Sequence, residues 1–120
     1  MARAPDEADI QRAFCIWLDR GALLPGVVYW HTPNSGEGRN AFQGKILKQQ
    51  GVKAGIPDLL FLWGGLYGLE MKKPGGVLSP AQRAMHARLT AAGLVGVATA
   101  NSLEGARQVL RTWGLVSPGF

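Results

Sequence analysis

Cysteine is almost absent from this chain of 120 residues: Cys15 stands alone, so no disulfide can form within it. It falls in an apolar helical stretch and reads as a small core residue. Histidine is nearly as scarce. His31 and His86 each stand alone, and each reads as a packed or hydrogen-bonded residue outside any metal set. No apolar run approaches the roughly 20 residues of a membrane helix. The opening segment, Met1 to Glu7, has no apolar secretory core, so the cytoplasm is the expected compartment and no membrane is expected as a partner. Internal repeats, low-complexity tracts and linkers are missing, which leaves one domain over residues 1–120. The glycine-rich segment from Ser35 to Gly38 does not match a nucleotide-binding fingerprint. Acid is short as well: 8 Asp and Glu stand against 13 Lys and Arg, for a net charge of +5. A basic domain suits a polyanionic partner, although charge alone does not select one.

What is present is a folded α/β pattern. Residues 6–20 carry Ile10, Phe14, Trp17 and Leu18 on one helical stripe, and Glu7 and Gln11 fall on the same stripe. Val27 to His31 reads as a strand, and Thr32 to Gly44 as a loop rich in Gly, Asn, Ser and Pro. A short helix is expected over 41–50, with Lys45 and Lys48 outward. Two strands follow within 58–72. Ser79-Pro80-Ala81-Gln82 is a helix start, with Ser79 as N-cap, Pro80 in the first turn and Gln82 closing a capping box. That helix runs to about Ala92, and Gly93 stops it. Leu94 to Ala98 is a short strand, and a last helix spans Ser102 to Trp113. The expected order is α-β-α-β-β-α-β-α.

Chemistry concentrates in Gly55-Ile56-Pro57-Asp58 and Leu69-Glu70-Met71-Lys72. Between them, apolar residues flank Gly64-Gly65, which reads as two strands joined by a glycine turn. Charge inside an otherwise apolar strand costs free energy unless it has partners or a function. Glu70 and Lys72 share one strand face, and Leu69 and Met71 share the other. Lys73 points away and is expected in solvent or on a polyanion. Two carboxylates beside an ammonium can hold a divalent cation and steer a water at a phosphodiester. That requires a particular register. A two-residue Gly64-Gly65 turn pairs Asp58 with Met71 and turns Asp58 away from Glu70. A three-residue connection, Trp63 to Gly65, pairs Leu62 with Leu66 and sets Asp58 across from Glu70. The second is the expectation, with Gly65 in a left-handed conformation.

Taken together, Gly55-Ile56-Pro57-Asp58-Leu59, Glu70-Met71-Lys72, Leu78-Ser79-Pro80-Ala81-Gln82, Glu7-x-x-x-Gln11 and Pro33-Asn34 resemble a VRR-NUC domain of the PD-(D/E)xK nuclease superfamily. The resemblance covers nearly the whole chain, and its length is similar to that of stand-alone versions from phage and prophage genomes. It implies a restriction-endonuclease-like α/β fold, a central mixed sheet flanked by helices. It also implies Mg²⁺- or Mn²⁺-dependent cleavage of DNA phosphodiesters, often at branched, flapped or four-way-junction structures, by a homodimer. Asp58 and Glu70 are then cation ligands, suited by their hard oxygens. The Met71 carbonyl is a further ligand on the strength of the resemblance. Lys72 orients water and offsets charge on phosphate, or helps take a proton. Glu7 is either a first-turn acid favoured by the helix dipole or a third carboxylate ligand. Gln11, one turn on, would bridge its helix to the site. Gln82 either only closes its capping box or stands near the active site, where the family has a glutamine. Arg39, Lys45, Lys48 and Lys53 are either a solvated face or phosphate contacts. Two other readings stay open: a DNA-binding or assembly module without turnover, and an RNA-directed nuclease.

Overall fold

The computed structural model describes residues 5–33 and 41–120. Helix α1 (Glu7–Trp17) starts at Asp6, where a reciprocal cap forms. The Asp9 N–H donates to Asp6 Oδ1 at 2.8 Å and the Asp6 N–H donates to Asp9 Oδ2 at 3.2 Å. The helix expected over 6–20 is α-helical only to Trp17. A wider π-helical turn, Leu18–Ala22, follows and contains Gly21 at φ +103°. Leu18 and Ala22 are both buried before the chain enters the sheet.

Strand β1 (Val28–His31) is followed by α2 (Ala41–Gln49), β2 (Leu59–Leu62) and β3 (Leu66–Met71). Then come α3 (Pro80–Ala91), β4 (Gly96–Ala100) and α4 (Leu103–Trp113). The order of elements is the expected one. The sheet runs β1-β2-β3-β4 in space. β1–β2 and β2–β3 are antiparallel and β3–β4 is parallel, which makes the sheet mixed. The parallel step needs a crossover, and α3 supplies it.

β4 begins two residues later than the sequence suggests. Gly93, at φ +120°, turns the chain out of α3, and the Leu94 N–H then donates to the Leu89 carbonyl at 2.9 Å. That contact closes the helix end and keeps Leu94 off the ladder. Pairing starts where Gly96 meets Tyr67.

One sheet face carries Leu59, Phe61, Leu69 and Met71 against Ile10, Phe14 and Leu18 and against Ala106 and Leu110 of α4. Phe14 and Phe61 are fully buried, each worth roughly 2–3 kcal/mol in apolar burial. Trp17, expected in this stripe, is only partly buried; the guanidinium groups of Arg107 and Arg111 lie 5.2 and 5.9 Å from its ring. Cys15 is likewise partly buried against the core, and burial raises its thiol pKa. By strand alternation the other face carries Asp58, Leu60, Gly68 and Glu70. No helix among the described residues is long and apolar enough to cross a membrane.

Candidate active site

The register of the β2–β3 hairpin decides which side chains meet. Leu62 pairs with Leu66 and Leu59 with Leu69, so the connection is three residues long. The Trp63 N–H donates to the Gly65 carbonyl at 2.9 Å within it. One step beyond Leu59, the same register sets Asp58 across from Glu70, on one face. The left-handed glycine is Gly64, at φ +63°, rather than Gly65. Gly65 is required for another reason: a Cβ there would stand 2.5 Å from Val95 Cγ2.

Asp58 is held from both neighbouring strands. Its Oδ2 accepts the Met71 N–H at 2.7 Å. Its main-chain carbonyl accepts the Thr32 N–H at 2.8 Å and lies 2.9 Å from His31 Nδ1. Pro57 before it packs flat on Gly68, where a Cβ would meet Pro57 Cγ at 2.7 Å. Two residues earlier, Gly55 sits at φ +85°, and a Cβ on it would lie 2.5 Å from the Ala81 carbonyl oxygen. The turn into β2 is thus seated directly on the first turn of α3.

That seating brings α3 over the carboxylates. Gln82 and His86, one turn apart, are its buried polar residues. His86 Nε2 lies 3.1 Å from Glu70 Oε1. Asp58 is 4% exposed and Glu70 1%. Burial first, then hydrogen bonding and like charge from Asp58, push the Glu70 carboxyl well above the ordinary carboxylate range. Lys72 opposes the shift and Glu7 adds to it. Burial lowers the His86 pKa; Asp58 opposes this and Lys72 reinforces it. The ring is therefore neutral near neutral pH, and its contact with Glu70 is a hydrogen bond rather than an ion pair.

The remaining expected residues fall at different distances from this centre. Lys72 is half-buried just past β3, and its charge acts on both Glu70 and His86. Lys73 is exposed. Glu7 opens α1 and is half-buried; its charge reaches Glu70. Gln11 Nε2 lies 3.1 Å from His31 Nδ1, so this residue does connect α1 to the strand beside Asp58. Met71 contributes its N–H to Asp58. Gln82 closes the capping box, its Oε1 accepting the Ser79 N–H at 2.8 Å, and it is buried on α3 together with His86. Lys45 and Lys48 are exposed on α2, and Lys53 is exposed beyond it. Arg39 and Asn34 lie outside the described residues.

His31 and His86 are the residues that the sequence reading set aside and the fold brings to the carboxylates. His86 had one signal, its spacing of four from Gln82 on a face shared with Met85 and Leu89. His31 had none, because its role depends on the β1–β2 pairing.

No protein-family model matches this sequence, and no curated protein matches it. Among solved structures, a VRR_NUC domain protein is similar, with a TM-score of 0.71 and 23% sequence identity. The likeness covers 91% of this chain and 88% of that one. At this identity it speaks to fold: the chain has the restriction-endonuclease-like α/β fold of a VRR-NUC domain.

Proposed function

We propose that this chain is a nuclease that uses Mg²⁺ or Mn²⁺ to hydrolyse DNA phosphodiester bonds, with branched or flapped DNA as its preferred substrate. One observation carries the reading: two buried carboxylates, Asp58 and Glu70, face each other across a hairpin with Lys72 beside them. The fold of a VRR-NUC domain supports it.

The residues present fit a hard divalent cation. Glu70 is held toward its protonated form by burial and by Asp58, and a cation is the other positive charge that can occupy that place. Among the described residues no three or more His, Cys, Asp or Glu side chains are grouped to hold a metal ion. Asp58 and Glu70 would bind it as a pair, with the Met71 carbonyl and water completing the set, as Mg²⁺ prefers. Once bound, it would polarise a phosphate oxygen and acidify a water. The chain's own residues do the rest. Neutral His86 donates Nε2–H to Glu70 and fixes that carboxylate once it is ionised. The Met71 N–H fixes Asp58. The Lys72 ammonium offsets negative charge that grows on the phosphate and orients the attacking water. Gln82, one turn before His86 on α3 and buried like it, would line the site beside the carboxylates. Lys45, Lys48 and Lys53, with Arg39, supply phosphate contacts away from the scissile bond.

The active form is proposed to be a homodimer in the cytoplasm. Val28 and Leu62 pair directly and are 57% and 48% exposed, next to Trp30 at 40%. They continue the carboxylate face toward the far end of the strands, and β1 is an edge strand. A second copy would cover this apolar area.

The test is a panel of duplex, single-stranded, flap and four-way-junction DNA, with matched RNA, in Mg²⁺, Mn²⁺ or EDTA. Cation-dependent cutting that favours branched DNA is expected. No cutting of any substrate would favour a binding module, and cutting of RNA over DNA would reassign the substrate.

A further inference from the structure

The chemistry of one nitrogen decides what His31 does. A carbonyl oxygen only accepts, so the 2.9 Å approach of His31 Nδ1 to the Asp58 carbonyl is a hydrogen bond only if Nδ1 carries the proton. The Asp58 carbonyl then receives two donors from β1 and the chain that follows it, Nδ1–H of His31 and the Thr32 N–H at 2.8 Å. The Gln11 amide stands 3.1 Å from the same Nδ1. An amide N–H cannot donate to a protonated nitrogen, so the amide meets this contact with its oxygen, turned over about its terminal bond, and the single Nδ1–H is shared between that oxygen and the Asp58 carbonyl. Gln11 lies one turn along α1 from Glu7, whose charge reaches Glu70.

We propose that His31 is a positioning residue that acts through Nδ1–H. It holds the main chain at Asp58 and, through Gln11, ties α1 with Glu7 to the strand that bears Asp58. The main chain at Asp58 and the first turns of α1 are then held by a single bracket, Gln11–His31–Asp58 carbonyl. His31 touches neither the proposed cation nor phosphate. The inference rests on the nuclease reading for its activity and Mn²⁺ arms, and the tautomer arm stands apart from it.

The prediction is specific to one ring nitrogen. An asparagine amide nitrogen occupies the position of Nδ1, and a glutamine amide nitrogen that of Nε2. His31→Asn should therefore preserve the bracket, and His31→Gln should lose it. Three readouts apply to the full chain: the His31 tautomer from long-range ¹H–¹⁵N correlation, Mn²⁺ affinity from electron paramagnetic resonance, and kcat and KM on a flap substrate. The wild type should show the Nδ1–H tautomer. His31→Asn should stay within about threefold of wild type in Mn²⁺ affinity and kcat. His31→Gln should lose roughly 10- to 100-fold in both, the usual cost of removing a group that orients a ligand, with KM changed less than about twofold. An Nε2–H tautomer, or equal behaviour of the two variants, would overturn the proposal. If the wild type neither cuts DNA nor binds Mn²⁺, the nuclease reading fails, and the tautomer still decides whether His31 holds Asp58. Thermal unfolding of each variant separates loss of fold from loss of position.

Discussion

Glu70 is a buried acid whose surroundings disfavour its charge. Its raised pKa has a consequence for stability with a definite sign. A folded-state pKa above the unfolded value means that Glu70 favours the cation-free fold fully below about pH 4, where both states are protonated. Stability then falls as pH rises toward the raised pKa. Glu70→Gln removes that term. At pH 8 in EDTA the variant should be more stable than wild type, by on the order of 2 kcal/mol, seen as a rise of several degrees in Tm. Near pH 4 the difference should vanish. Mn²⁺ should raise the wild-type Tm more at pH 8 than at pH 6, because binding there displaces a less firmly held proton, and should leave Glu70→Gln nearly unmoved. Calorimetry across pH with and without Mn²⁺ checks this; a wild-type protein stabilised equally by Mn²⁺ at both pH values would count against a cation on Glu70. At this scale the sequence disclosed the acids well. Asp58 and Glu70 were legible because a charge in an apolar strand needs a reason. The histidines were not, since each depends on a contact across elements.

The elements were legible wherever local chemistry sets them. Ser79, Pro80 and Gln82 start α3 as their types dictate, and both halves of the capping box form. The hairpin register followed from one requirement, that Asp58 and Glu70 share a face, and the ladder has it. Three features escaped the sequence reading. The π-helical turn after Trp17 contains Gly21, whose positive φ takes the chain out of the helix. The late start of β4 reflects a helix closure at Leu94. The positive φ falls on Gly64, and Gly65 is pressed against Val95. Gly55 ties the turn before Asp58 to α3, so it offers a test at this scale. Gly55→Ala adds both a strained φ and a Cβ 2.5 Å from the Ala81 carbonyl, a backbone atom that cannot swing aside. A loss of about 2–4 kcal/mol is expected by denaturant unfolding. In the fraction that stays folded, cleavage should fall further than stability does. A stable, fully active Gly55→Ala protein would mean that α3 and Asp58 are not coupled through this turn.

At the scale of the whole molecule, the apolar patch at Val28, Trp30 and Leu62 has no cover among the described residues. If a second copy covers it, sedimentation at micromolar concentration should give a dimer. Leu62→Lys should then give a monomer of unchanged fold. Wild-type protein that sediments only as a monomer, with and without DNA, would refute the dimer. The central claim is that Asp58 and Glu70 form one cation-dependent hydrolytic site. The most direct measurement is the Mg²⁺-dependent cleavage rate of a flap substrate by wild type, Asp58→Ala and Glu70→Ala, all verified as folded. Each substitution should lower the rate at least about 100-fold, with DNA binding retained. Wild-type turnover by folded Asp58→Ala protein would contradict the account.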